Sequence, residues 1–177
     1  MQKNVKATRA IAVCGVLCAL GVILMALGSL IQVLDLTVAV VASLLVIFAV
    51  IELGGRYPYL VYAVTAVLSV LLVPAKTAPM VYLCFAGYYP IIKAVLERRF
   101  SRPVCWALKL LAFNVGLALS LFVLFKLLAV FTVPAVWYYA LLPLCSVVFV
   151  FYDIALTRLI TVYLTKWSHR FRFLHKQ

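Results

Sequence analysis

Charge is what this chain has least of. Only four of its 177 residues are acidic and two are histidine, and charged residues of every kind make up 11%, against about 25% in an ordinary soluble domain. Both histidines, His169 and His175, fall in the last nine positions, where solvated tail residues are the simplest reading. General acid–base and metal-assisted chemistry therefore lack their parts. No His-Glu-x-x-His, no Gly-x-Ser-x-Gly, no phosphate-cradling glycine loop and no pair of carboxylates inside an apolar run is present. We expect neither an enzyme nor a bound cofactor or metal. The five cysteines, Cys14, Cys18, Cys84, Cys105 and Cys145, sit inside or at the edge of apolar runs, where cysteine acts as a small hydrophobe rather than as part of a disulfide framework or zinc site.

What is abundant is apolar. Hydrophobic residues reach 68%, more than a water-soluble fold of this length can hide, whereas a bilayer accepts helices of about 20 mostly apolar residues with their outer faces in lipid. The apolar runs cover 10–32, 36–53, 57–74, 78–96, 104–131 and 135–164, followed by a basic, aromatic tail at 165–177. They predict an all-α, polytopic membrane protein: a single bundle of about six transmembrane helices. Each break has a cause: Asp35; Gly54, Gly55, Arg56 and Pro58; Pro74, Lys76 and Pro79; the polar stretch Glu97 to Pro103; and Thr132 with Pro134. The third run is near the lower length limit for a span. Lys3, Lys6 and Arg9 before an apolar run resemble a secretory signal. We expect a retained first helix, because that run continues to about Ile31, beyond the roughly 7–15 residues of a signal core.

The net charge of +12 would suggest nucleic acid in a soluble protein, but the cations cluster between apolar runs instead of along one face. We read them as topogenic charge and as contacts to anionic lipid, with no nucleic-acid partner. Counted over alternate loops, one set holds Lys3, Lys6 and Arg9, then Arg56, then Arg98, Arg99 and Arg102, then Lys166, Arg170, Arg172 and Lys176. The other holds Asp35 and Lys76, and nothing between the last two runs. Basic loops stay in the cytoplasm, so both termini are expected there. Trp106, Trp137, Tyr138, Tyr139, Tyr163 and Trp167 fit aromatic belts at the two surfaces. The tail from Lys166 reads as an interfacial extension held by anionic lipid.

Ionisable and polar groups within lipid are costly enough to be functional candidates. Glu52 ends the second run one turn before Arg56, an interfacial pair by default, and Arg158 is close enough to the inner end to snorkel. Asp153 lies several residues inside the sixth run, and Lys109 near the inner end of the fifth is its expected partner, as a structural pair or as a coupling or gating element. Asn114 near the middle of the fifth run is either interhelical glue or a ligand contact. An outer pocket for a small solute can be assembled by depth from Gln32, Asp35, Lys76, Tyr82, Asn114, Lys126, Trp137 and Tyr138, each of which has belt or packing as its plainer role. On the first run, Ala12, Gly15, Ala19 and Ala26 recur at spacings of three, four and seven, a small-residue face that admits a second helix, from within this chain or from a partner.

This layout, a short chain of six helices with a basic start, a small-residue face on helix one and no ATPase of its own, resembles the substrate-binding S component of energy-coupling-factor vitamin transporters. Gly15 and Ala19, with Ala12 nearby, correspond loosely to that family's Ala-x-x-x-Ala docking motif. The chain is also similar to the YybS-type multispanning family in the stretch around Pro79, Gly87 and Arg98. The first resemblance implies a multi-pass protein of a bacterial plasma membrane that captures a vitamin-like solute from outside through helices four to six and the first loop. It also implies partners: a transmembrane coupling subunit and two ATPases, whose hydrolysis of ATP topples the subunit and releases solute inward. The competing class is a non-transporting scaffold resembling the rod-shape protein MreD. A stand-alone secondary transporter is disfavoured, since no inverted halves or paired broken helices are visible.

Overall fold

The computed structural model describes residues 2–30, 35–123 and 136–167, with side chains over 7–30, 35, 37–123 and 143–166. All regular structure among them is helical. Six helices follow in order: α1 (Gln2–Gly28), α2 (Asp35–Glu52), α3 (Tyr57–Leu72), α4 (Thr77–Arg99), α5 (Arg102–Phe122) and α6 (Val136–Val162). Four stretches are long and apolar enough to cross a membrane: Ala7–Gly28, Thr77–Arg99, Arg102–Phe122 and Pro143–Lys166. The shortness expected of the third run holds for α2 as well, because the apolar part of each ends at a glycine or proline turn.

The turns explain where the helices stop. Between α2 and α3 the chain reverses through Gly54 and Gly55, both in the left-handed region with φ of 59° and 57°, a conformation that costs a residue with a Cβ about 1–2 kcal/mol. Space is not the constraint, because a Cβ at either position would touch nothing. Pro58 and Pro103 stand in the first turns of α3 and α5, where a missing N–H removes no helical bond. At the far end of α3, the Lys76 Nζ donates to the carbonyls of Val70 and Val73, each at 2.7 Å, satisfying acceptors that the ending helix leaves open.

The chain divides into two compact units, Met1–Phe131 and Thr132–Gln177. In the first, α1 packs on α2 and α3, α2 packs on α3 and along α4, and α5 packs on α4. Their shared core is built from Cys14, Leu17, Cys18 and Met25 of α1, Ala39, Ala42, Val46 and Ala49 of α2, Val61 and Ala66 of α3, and Tyr82, Ala86 and Ile91 of α4. Small residues dominate because, in lipid, helices are held by close packing and hydrogen bonds rather than by expulsion of water. Large side chains such as Ile11, Leu71, Leu111 and Val115 point outward instead.

In the first unit α4 is not regular. Within α4 the segment Tyr82–Ala86 forms a π-helical turn, in which the Gly87 N–H reaches back five residues to the Tyr82 carbonyl at 2.8 Å. Residues 87–88 then form a turn, and the helix resumes at Tyr89 with Pro90 in its first turn, where a missing N–H removes no helical bond. The helix expected over the apolar run 78–96 is thus widened and then broken by a turn at its middle.

The second unit is described as α6, with Pro143 inside it and a widened last turn at Tyr163–Trp167. Thr157, Thr161 and Thr165 each donate to the carbonyl four residues earlier, at 2.8, 2.8 and 2.9 Å. In hydrocarbon this back-bonding hides three hydroxyls within the helix itself.

Candidate functional site

Three features of the first unit exceed what packing requires: the surroundings of the α4 π turn, the charged cluster at the junction of α4 and α5, and the outer face of α1. At the π turn, Tyr62 of α3 donates its hydroxyl to the Leu83 carbonyl at 2.8 Å, tying α3 to the widened backbone. Around this bond the rings of Tyr62 and Tyr82 lie 6.0 Å apart, Tyr62 and Tyr88 meet edge-on at 6.3 Å, and Phe85 meets Phe113 of α5 edge-on at 5.0 Å. Such tilted and edge-on pairs are favoured by the ring quadrupoles. Two glycines let the elements approach. A Cβ on Gly87 would come within 2.5 Å of the Tyr62 ring, and one on Gly116 would come within 2.5 Å of the Tyr88 hydroxyl and 2.9 Å of the Cys84 carbonyl.

Beside the aromatic cluster the core holds a small group of buried polar side chains. Tyr82 is fully buried, and its hydroxyl and the Thr65 hydroxyl lie close together, yet neither makes a well-formed hydrogen bond among the described residues. Cys18 completes the group, with its thiol 3.7 Å from the Val61 carbonyl. Gly21 makes room, since a Cβ there would meet the Thr65 methyl at 2.8 Å. π turns often mark functional positions, and buried hydroxyls without good partners are costly.

A third cluster sits at the junction of α4 and α5. Glu97 accepts from the Lys109 Nζ at 2.6 Å and pairs with the Lys93 Nζ at 3.0 Å. The lysine side chains are 4% and 2% exposed, while Glu97 is 42% exposed. Lys109 also lies 5.4 Å from the centre of the Trp106 ring, a cation–π distance. The carboxylate therefore gathers two buried ammonium groups from successive helices.

Of the eight residues expected to form an outer pocket, four have described side chains. Tyr82 is in the core, Lys76 caps α3, and Asn114 donates to the Leu110 carbonyl of its own helix at 2.8 Å. Asp35 stands in the first turn of α2, with one carboxylate oxygen buried and making no hydrogen bond among the described residues. Gln32 and Lys126 lie outside the described residues, and Trp137 and Tyr138 are on α6, where their side chains lie outside them too. Lys109 and Asp153, expected to pair, belong to different units, and within the first unit Lys109 pairs with Glu97. In the sequence Glu97 reads as loop charge, which hides that role. The four-residue spacing from Lys93 is the signal that could reveal it.

The α1 face is more orderly. Cys14, Leu17, Cys18, Gly21, Met25 and Gly28 are buried on one side, and Ala12, Gly15, Ala19 and Ala26 are all exposed on another. A Cβ added to Gly15 would meet nothing within 4 Å, whereas one on Gly28 would come within 2.5 Å of Val38. Of the two partners open from the sequence, no described element of the first unit covers the small-residue face. Comparison with family models, curated proteins and solved structures finds no match for this chain.

Proposed function

We propose that this chain is the solute-binding membrane subunit of a transporter, energised by separate subunits that dock on α1. The observation that carries the reading is the outward, uncovered set Ala12, Gly15, Ala19 and Ala26. Large side chains elsewhere on the surface fill space against lipid, while small ones let a second helix come close enough for backbone contact. The occupant is a helix of a transmembrane coupling subunit, itself joined to two ATPases. In this reading the chain crosses a bacterial plasma membrane six times with both termini inside, α2 and α3 being short spans. A small, vitamin-like solute binds from outside near Asp35, Asn114 and Lys126.

Purification of the tagged protein in mild detergent from its native host, with mass spectrometry of what accompanies it, tests the proposal. A transmembrane subunit with two ATPases is expected. Leu at Gly15 or Ala19 should abolish that association without loss of insertion, and unchanged association would remove the face from the docking role. A second reading, a scaffold resembling MreD, is supported by one observation. Two grooves on the described surface are apolar and lined by none of the eight expected pocket residues. Recovery of cell-wall or division proteins in place of ATPases would favour the scaffold.

A further inference from the structure

The two grooves flank the C-terminal half of α4. One, about 420 Å³, lies between α3 and α4 and is walled by Tyr59, Tyr62, Ile91 and Val95. The other, about 360 Å³, lies between α4 and α5 and is walled by Leu108, Leu111, Ala112 and Val115. Tyr88, Ile92 and Leu96 belong to both. These three residues, at spacings of four, form a ridge along α4 about 12 Å long at 1.5 Å per residue, with one groove on each side. Arg99 continues the same face one turn beyond Leu96.

The end of this ridge is strongly basic. Between positions 93 and 109 stand Lys93, Arg98, Arg99, Arg102 and Lys109 against the single carboxylate of Glu97, a net charge of +4. Lys93 and Lys109 flank Glu97 itself, so it does not present a bare negative charge to an incoming anion. Arg98, Arg99 and Arg102 are exposed. Trp106, 37% exposed one turn into α5, has the amphipathic ring that favours the headgroup level.

We infer that this surface is a specific site for one anionic phospholipid, whose two acyl chains straddle the α4 ridge, one in each groove, and whose phosphate is held by Arg99 and Arg102. A two-tailed lipid matches the pairing of apolar grooves around one ridge, and the cationic cluster at their common end selects a headgroup with net negative charge. A peptide would leave one groove empty, and a free anion would use neither.

The test is native mass spectrometry of the full-length protein, delipidated in detergent and titrated with phosphatidylglycerol or with phosphatidylcholine of the same chains. One phosphatidylglycerol per chain should be retained in preference to phosphatidylcholine. Arg99→Gln with Arg102→Gln should weaken phosphatidylglycerol about thirtyfold, each cation near the headgroup being worth about fivefold. Val115→Trp fills the α4–α5 groove from an exposed rim position and should weaken binding with both arginines intact. Thermal unfolding without lipid should be the same for all forms, since every substituted residue is exposed. Equal retention of the two lipids would overturn the proposal, as would wild-type binding by the Val115→Trp protein or displacement of the lipid by inorganic phosphate alone.

Discussion

At the scale of single residues, Lys93 and Lys109 of the first unit are two ammonium groups removed from solvent, each paired with Glu97. Removing one partner of a fully buried ion pair costs about 3–5 kcal/mol. Glu97 is 42% exposed, so water shares its field and the loss should be smaller. Glu97→Gln is expected to destabilise the protein by about 1–2 kcal/mol, read as a lower unfolding temperature in detergent, and an unchanged temperature would show that the lysines do not depend on it. The Lys93–Glu97 contact follows from four-residue spacing on a helix and was legible in the sequence. Glu97 meeting Lys109 was not, since it depends on how tightly α4 turns into α5. Gly54 and Gly55 are the opposite case, a turn recognisable from the two adjacent glycines alone. Ala at either should cost about 1 kcal/mol through the left-handed backbone alone, measurable as reduced thermal stability with no change in partner association.

At the scale of elements, α4 departs most from its expected form. The apolar run 78–96 was readable as a helix, but nothing in hydropathy indicates that its middle would widen at Tyr82–Ala86. Pro90 and Gly87 were the available signals, and their effect appears only when Tyr62 and the α5 backbone are placed against them. Gly116→Leu should therefore force α5 away from the Cys84 carbonyl and cost about 1–3 kcal/mol by overpacking, seen as earlier thermal unfolding. The two faces of α1 make a sharper pair of expectations. Gly28→Leu, aimed at Val38, should reduce stability. Gly15→Leu, aimed at open space, should leave stability unchanged and affect only partner association. Equal loss of stability in both proteins would mean that the Gly15 face is packed and is not a docking surface.

At the scale of the whole molecule, orientation rests on charge. With basic loops held in the cytoplasm, cysteines replacing Asp35 and Lys76 should react with an impermeant reagent from outside intact cells, and one replacing Arg99 should not. The reverse pattern would invert the topology and with it the side from which solute arrives. Lys126→Ala is expected to weaken solute binding while the protein remains folded in the membrane, as judged by unchanged thermal unfolding. Unchanged binding would remove Lys126 from the site.

Composition and apolar run length by themselves determined that the chain is helical and built for lipid, because hydropathy is summed over some 20 residues and needs no knowledge of neighbours. The same holds for the positions of most turns, where glycine and proline act on their own backbone. Only the tertiary structure decided which polar groups meet. It withdrew Tyr82 into the core, turned Lys76 onto the end of α3, assigned Glu97 to two lysines and, among the described residues of the first unit, left the small-residue face of α1 exposed. These outcomes depend on helix rotation and on close approach at Gly21, Gly87 and Gly116. A helix can turn about its axis with no change in the depth of its residues, so a site assembled by depth alone leaves the facing of each side chain undetermined.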